Sequence, residues 1–131
     1  MIAIDTNVLV RLLVVDDETQ GRRARHLVEG CRAGEEPVLI SLIVLVETEW
    51  VLRSRYEFDK AAIIAAFRRM LEVGEFWFEG EAAVEEALFQ WQDCPCSFVD
   101  CLIGAHHRRL GCRTTATFDL KAARLPGFVK T

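Results

Sequence analysis

Four carboxylates stand where carboxylates are costly. Asp5 is the only ionisable side chain among residues 1–10, and Glu47 is the only one between Val38 and Thr48. Asp100 is the only one between Phe98 and Ala105, and Asp119 follows the uncharged run Thr114–Phe118. The other acids lie mostly in mixed-charge stretches. An ionised carboxylate in apolar surroundings is expensive unless it is paired or binds a metal. Four such groups without histidine–cysteine pairing suit a hard divalent cation, Mg²⁺ or Mn²⁺, which prefers oxygen ligands. A cation held this way can activate a water for in-line attack at phosphorus, and two ions about 3.5–4 Å apart can divide that work. No Ser–His or Cys–His nucleophile pair and no Gly-rich phosphate loop stands out, so water is the expected nucleophile.

Each acid also has a purely structural reading. Asp5 could cap the helix after it. Glu47 could pair with a buried arginine. Asp100 stands three residues after Ser97, the spacing of a capping box. Asp119 could start a turn. Glu47 carries the most weight, because Ile43, Val46, Glu47 and Trp50 recur at i, i+3, i+4 and i+7 and share one helix face. That face is the expected core stripe, and Glu49 is expected in solvent. One cation site accounts for all four acids, whereas the structural readings need four separate causes.

The elements that must position these groups alternate. Residues 2–4, 38–40, 76–78 and 114–118 read as short apolar or β-branched strands, and 128–130 as a last edge strand. Helices are expected after Asp5, over 20–33, 42–54, 59–73 and 80–92, and from Ser97 to Leu110. Ser41, Asp59 and Ser97 are the expected N-caps, and Gly34, Gly74 and Gly111 the stops. Apolar strands separated by helices predict an α/β fold, a three-layer α/β/α sandwich around a short, mainly parallel sheet. Sites in such sheets lie beyond the carboxyl ends of strands, where Asp5 and Asp119 stand.

The 131 residues suit one domain over 1–131. No stretch is apolar enough to span a bilayer, and no basic segment precedes an apolar start, so a cytoplasmic protein is expected. The formal net charge is −4, yet thirteen of the sixteen basic residues are arginines, in clusters such as Arg22, Arg23, Arg25 and Arg108, Arg109, Arg113. Arginine suits bidentate phosphate contact, but for any one cluster a solvated helix face with i,i+4 pairs is the preferred reading. Five cysteines, an odd count at uneven spacing, argue against a disulfide framework. Cys94-Pro-Cys96 has one intervening residue where structural zinc sites usually have two to four, so reduced, partly buried thiols are expected. His106 and His107 share the Asp100 helix and are expected at the surface or packed, because magnesium rarely takes imidazole.

The acids also carry a family resemblance. Ile4-Asp5-Thr6-Asn7-Val8-Leu9 resembles the opening motif of PIN domains. Ile40-Ser41 through Glu47-Thr48-Glu49-Trp50-Val51-Leu52 resembles their second acidic motif, and Phe98-Val99-Asp100-Cys101-Leu102-Ile103 the third. Thr115-Ala116-Thr117-Phe118-Asp119, followed by Lys121-Ala122-Ala123, resembles the fourth. Nearly the whole chain is covered, in the family's order and spacing. Short members of this kind are typically VapC toxins of toxin–antitoxin pairs. The resemblance implies a Rossmann-like fold, Mg²⁺ or Mn²⁺, endonucleolytic RNA cleavage, a homodimer and inhibition by a VapB-type antitoxin, with an antitoxin arginine inserted among the carboxylates. It implies Asp5, Glu47, Asp100 and Asp119 as the catalytic and metal-binding quartet, with Thr117 and Asn7 in support. Many relatives carry an acid where this chain has Ser97, which implies weaker binding of a second ion. A PIN-fold domain outside the toxin class, active or not, is the alternative. A receiver-type signalling module fits less well, because Asp5 is followed by Thr6 rather than a second acid. The apolar faces of residues 42–73 are the candidate dimer interface.

Overall fold

The computed structural model describes residues 1–131. The chain divides into two compact units, residues 1–79 and 80–131. The first unit runs β1 (Ile2–Ala3), α1 (Thr6–Leu13), α2 (Glu18–Ala33), β2 (Val38–Ile40), α3 (Leu42–Ser54), α4 (Lys60–Glu72) and β3 (Phe76–Phe78). The three strands form a parallel sheet in the order β1-β2-β3, with Ile2 opposite Val38 and Val38 opposite Phe76. The second unit runs α5 (Glu81–Gln92), α6 (Phe98–Arg109), β4 (Thr115–Thr117), a 3-10 turn (Ala122–Arg124) and β5 (Phe128–Lys130). Here β4 and β5 pair in parallel, Thr115 opposite Phe128. The expected edge strand therefore exists, as the partner of β4 in a separate two-stranded sheet.

Local chemistry explains the boundaries. Asp5, Asp17, Ser41, Asp59 and Ser97 each accept a backbone N–H of the first turn that follows, satisfying a donor that the helix itself leaves orphaned. Asp17 starts α2 two residues before the sequence pattern suggests. Gly111, at φ +92°, ends α6 in a conformation that suits glycine.

Each unit has its own apolar interior. In the first, α1 packs on α2 and α3, and α3 on α4. Leu9, Val38, Leu45, Leu52, Ile63 and Phe67 are fully buried there. In the second, α5 packs along α6, burying Ala83, Val84, Ala87, Phe98 and Ala105. Gly104 lets β5 approach α6: a Cβ at that position would lie 2.5 Å from the Phe128 ring.

The α3 helix departs from expectation. Ile43 is 82% exposed and Trp50 55%, and Glu47 is exposed with them. The buried stripe is Leu45, Thr48, Glu49 and Leu52, also spaced i, i+3, i+4, i+7. Glu49, not Glu47, is the acid in the interior, at 2% exposure. The reason is physical. The first five residues, Leu42-Ile43-Val44-Leu45-Val46, are apolar on every face, so periodicity selects no side, and packing against both α1 and α4 decides it.

Candidate active site

In the first unit, Asp5 ends the β1 segment and begins α1. Its Oδ1 accepts the Val8 N–H at 3.1 Å, so the capping reading of Asp5 holds. One carboxylate oxygen is thereby fixed, and the other stays available at an exposed position. Asp5 and Asn7 line a cleft of about 460 Å³ together with Arg11, Gln20, Arg23 and Leu27. Glu47 is not among its lining residues. The far wall is one stripe of α2, because Gln20, Arg23 and Leu27 recur at i, i+3 and i+7.

The two arginines of the cleft differ. Arg11 is held in place: its Nε donates to Gln20 at 2.7 Å, and its Nη1 donates to Asp16 at 3.1 Å and to the Tyr56 hydroxyl at 3.3 Å. The Tyr56 contact, ahead of the Asp16 charge, keeps this guanidinium more firmly protonated than an ordinary arginine. Arg23 lies in the open and also lines an adjoining groove with Thr19, Arg22, His26 and Leu27. The sequence reads as a solvated face at Arg22, Arg23 and Arg25, all exposed here, and leaves the place of Arg23 at the cleft unstated. The available signal was the stripe itself, which sets Gln20 and Arg23 in line with Ala24 and Leu27.

Glu47 and Glu49 exchange the surroundings expected of them. Glu49 accepts from Arg53 Nε at 2.9 Å, an i,i+4 pair whose hydrogen bond and charge raise the arginine's pKa. The buried acid of α3 is thus neutralised structurally, and Glu47 stands in solvent.

In the second unit, Asp100 is at the third position of α6, half-buried. Its N–H donates to the Ser97 Oγ at 3.1 Å. That is half of a capping box, and the carboxylate is left out of it. Asp119 is exposed beyond β4. Its Oδ1 accepts the Lys121 and Ala122 N–H groups at 2.7 and 3.1 Å, so the turn reading of Asp119 holds. Thr117 Oγ1 accepts the Asp119 N–H at 3.0 Å. His107 Nδ1 lies 2.9 Å from Thr115 Oγ1 and ties α6 to β4, a packed role. Arg108 and Arg109 both bind Glu86 on α5, so these two arginines of the cluster are structural.

The cysteines require a correction. Cys94 and Cys96 form a disulfide, where reduced thiols were expected. Spacing argued against a framework of several bridges and did not test a bridge between near neighbours, whose Cα atoms lie 5.3 Å apart here.

A family model described as "PIN domain" matches residues 2–127. The chain belongs to the PIN-domain family. That match spans both compact units and removes the receiver-type alternative. PIN domains are nucleases, and the α/β fold with short parallel sheets is theirs. The chain is also similar to the crystal structure of VapC20 from Mycobacterium tuberculosis, described as a sarcin–ricin loop cleaving toxin. The identity is 25% over 94% of this chain and 93% of that one, with a TM-score of 0.44. Comparison with curated protein sequences finds no match. No helix of this PIN domain is long and apolar enough to cross a membrane.

Proposed function

We propose that this PIN domain is a Mg²⁺-dependent endoribonuclease, the toxin of a toxin–antitoxin pair, with Asp5, Glu47, Asp100 and Asp119 as its acidic quartet. One observation carries the reading. Within its own unit, none of these four carboxylates is ion-paired, while Glu49 and Glu86 bind arginines. The two helix acids held by arginines are neutralised, and the four at the family's motif positions are not.

The donor set fits a hard cation. All four groups offer carboxylate oxygens, and the backbone bonds of Asp5 and Asp119 each occupy only Oδ1. Mg²⁺, or Mn²⁺ in its place, would supply Lewis acidity and a water of lowered pKa. The chain's residues supply the rest. The Val8 amide orients Asp5, the Lys121 and Ala122 amides orient Asp119, and Ser97 starts the helix that presents Asp100. Asp5 and Asp100 are the proposed direct ligands, Asp119 acts directly or through water, and Glu47 binds metal or orients the attacking water. Thr117 and Asn7 are the supporting residues.

The substrate is RNA, taken as a single-stranded loop whose bases can splay out. Arg23, Arg22 and His26 continue from the Asp5 cleft along α2 and form a phosphate track. The exposed apolar side chains of Ile43 and Trp50 on α3 support a homodimer. The cognate antitoxin is a VapB-type protein, and toxin and antitoxin act in the cytoplasm.

The test is cleavage of structured RNA by the purified protein. Cleavage requires Mg²⁺ or Mn²⁺ and is lost in Asp5→Asn and Asp100→Asn. Equal cleavage in excess chelator refutes the enzyme reading. Growth arrest on expression, relieved by a small neighbouring reading frame, tests the toxin reading.

A further inference from the structure

Cys94, Cys96 and Cys101 lie outside the acidic quartet, and their sulfur atoms all fall within 4.8 Å of one another. Local structure gathers them. The Cys94 N–H donates to the Trp91 carbonyl at the end of α5, at 3.3 Å. Cys96 immediately precedes the Ser97 cap, and Cys101 stands one turn into α6, its N–H on the Ser97 carbonyl at 3.2 Å. The buried rings of Trp91 and Phe98, 5.4 Å apart, pin the two helix ends on either side of the segment. Cys96 and Cys101 are buried and Cys94 is half-buried. Pro95 fixes one backbone dihedral between the first two.

We propose that the reduced form of this cluster is a thiolate site for one soft divalent cation, Zn²⁺ being the probe, and that the Cys94–Cys96 disulfide is its closed, metal-free form. Three observations support it. Cys96 Sγ lies 4.0 Å from Cys101 Sγ. Two thiolates sharing a tetrahedral zinc at about 2.3 Å stand about 3.8 Å apart, so this pair needs almost no movement. The Cys96 N–H donates to Cys94 Sγ at 3.1 Å, a bond that strengthens when the sulfur is an anionic ligand. Cys94 is half-buried, so solvent reaches the edge of the cluster.

The steps balance. A dithiol reductant gives two electrons and two protons to the Cys94–Cys96 bond and becomes a disulfide itself, leaving two thiols. Three thiols then release three protons as three sulfur–zinc bonds form. The hard oxygen donors of the quartet and this soft sulfur set select different ions, so the site does not depend on the nuclease reading.

The experiment uses the full chain, reduced, desalted without oxygen and titrated with Zn²⁺ in the presence of Mg²⁺. One zinc is retained per chain by elemental analysis, and alkylation mapping finds Cys94, Cys96 and Cys101 protected while Cys112 reacts. The oxidised protein retains none. Cobalt substitution gives a sulfur-to-metal charge-transfer band. Cys101→Ser loses the band and weakens zinc binding more than about tenfold. Because Cys101 is fully buried, the half-buried Cys94→Ser is the second variant and gives the same loss with an unchanged circular dichroism spectrum. Zinc retained equally by Cys94→Ser, or no zinc retained by the folded, reduced protein, overturns the proposal.

Discussion

The α2 track makes the sharpest quantitative prediction. Arg22 and Arg23 are exposed, and no acid pairs with either, in contrast to Arg11, Arg108 and Arg109, which are already engaged. Free guanidinium groups bordering the Asp5 cleft are suited to RNA phosphates, and each phosphate neutralised on a single strand contributes about −0.7 to the slope of log affinity against log salt. Replacing both arginines in Arg22→Gln/Arg23→Gln should make that slope shallower by about 1.4. Between 50 and 200 mM salt, the wild type should therefore lose about sevenfold more affinity than the variant. The assay is fluorescence anisotropy of a labelled hairpin RNA on an Asp100→Asn background, which keeps the substrate intact. The pair Arg108→Gln/Arg109→Gln is the control. It breaks the Glu86 contacts, lowers stability and leaves the slope unchanged. An unaltered slope in the α2 variant, with its fold intact, refutes the track while leaving the nuclease reading standing.

Other predictions follow from pairing and burial. Glu47→Gln should leave stability within the range of a surface change, about ±0.5 kcal/mol, and reduce RNA cleavage about 10- to 100-fold. Glu49→Ala should do the reverse. It removes a buried side chain and a charge-assisted bond at a cost of about 2 kcal/mol, discounted because Arg53 is half exposed and regains water. Equal effects of the two variants on cleavage would sink this division of roles. Thr48 Oγ1 is buried without a hydrogen-bond partner, so Thr48→Val should raise stability by about 1 kcal/mol, read as a higher denaturant midpoint. Burial pushes the Glu86 carboxyl up, but hydrogen bonds from Arg109 and Arg108 outweigh it and hold the pKa below the ordinary range. A lowered folded-state value means stability that is fully present above the unfolded pKa, about 4.3, and lost as pH falls through the folded one. Glu86→Gln should remove that acid-side dependence, and an unchanged acid limb in thermal melts would contradict the assignment.

Much of the fold was legible because its signals are local. A side chain that accepts a first-turn amide needs only the next three residues, so Ser41, Asp59 and Ser97 marked their helices correctly. Strand pairing is not local. Nothing in Phe128-Val129-Lys130 states that its partner is β4 in a two-stranded sheet, because that depends on where the 3-10 turn delivers the chain. The Cys94–Cys96 bridge was missed for a related reason: spacing rules describe frameworks of several bridges and say little about neighbours across one proline.

The acids show where periodicity stops being informative. Two stripes of α3 satisfy the same helical spacing, and each carries one glutamate. The cost of a buried carboxylate falls on Glu49, not on Glu47, which lies on the solvent face. Correcting the face alters what distinguishes a functional carboxylate in this chain. Burial alone marks Glu49, which has a structural partner four residues away in Arg53. The quartet positions differ in exposure, with Asp100 half-buried and Asp5, Glu47 and Asp119 exposed. Two of them share something else. At Asp5 and Asp119 the bonds from backbone amides fix one oxygen without neutralising the charge. An anchored carboxylate that keeps its charge is prepared to bind a cation, whereas a buried carboxylate already joined to an arginine has spent that capacity on stability. Retained negative charge on a fixed group is shared by the helix caps Asp17 and Asp59, so Asp5 and Asp119 are singled out by that property together with their place beyond the carboxyl ends of β1 and β4.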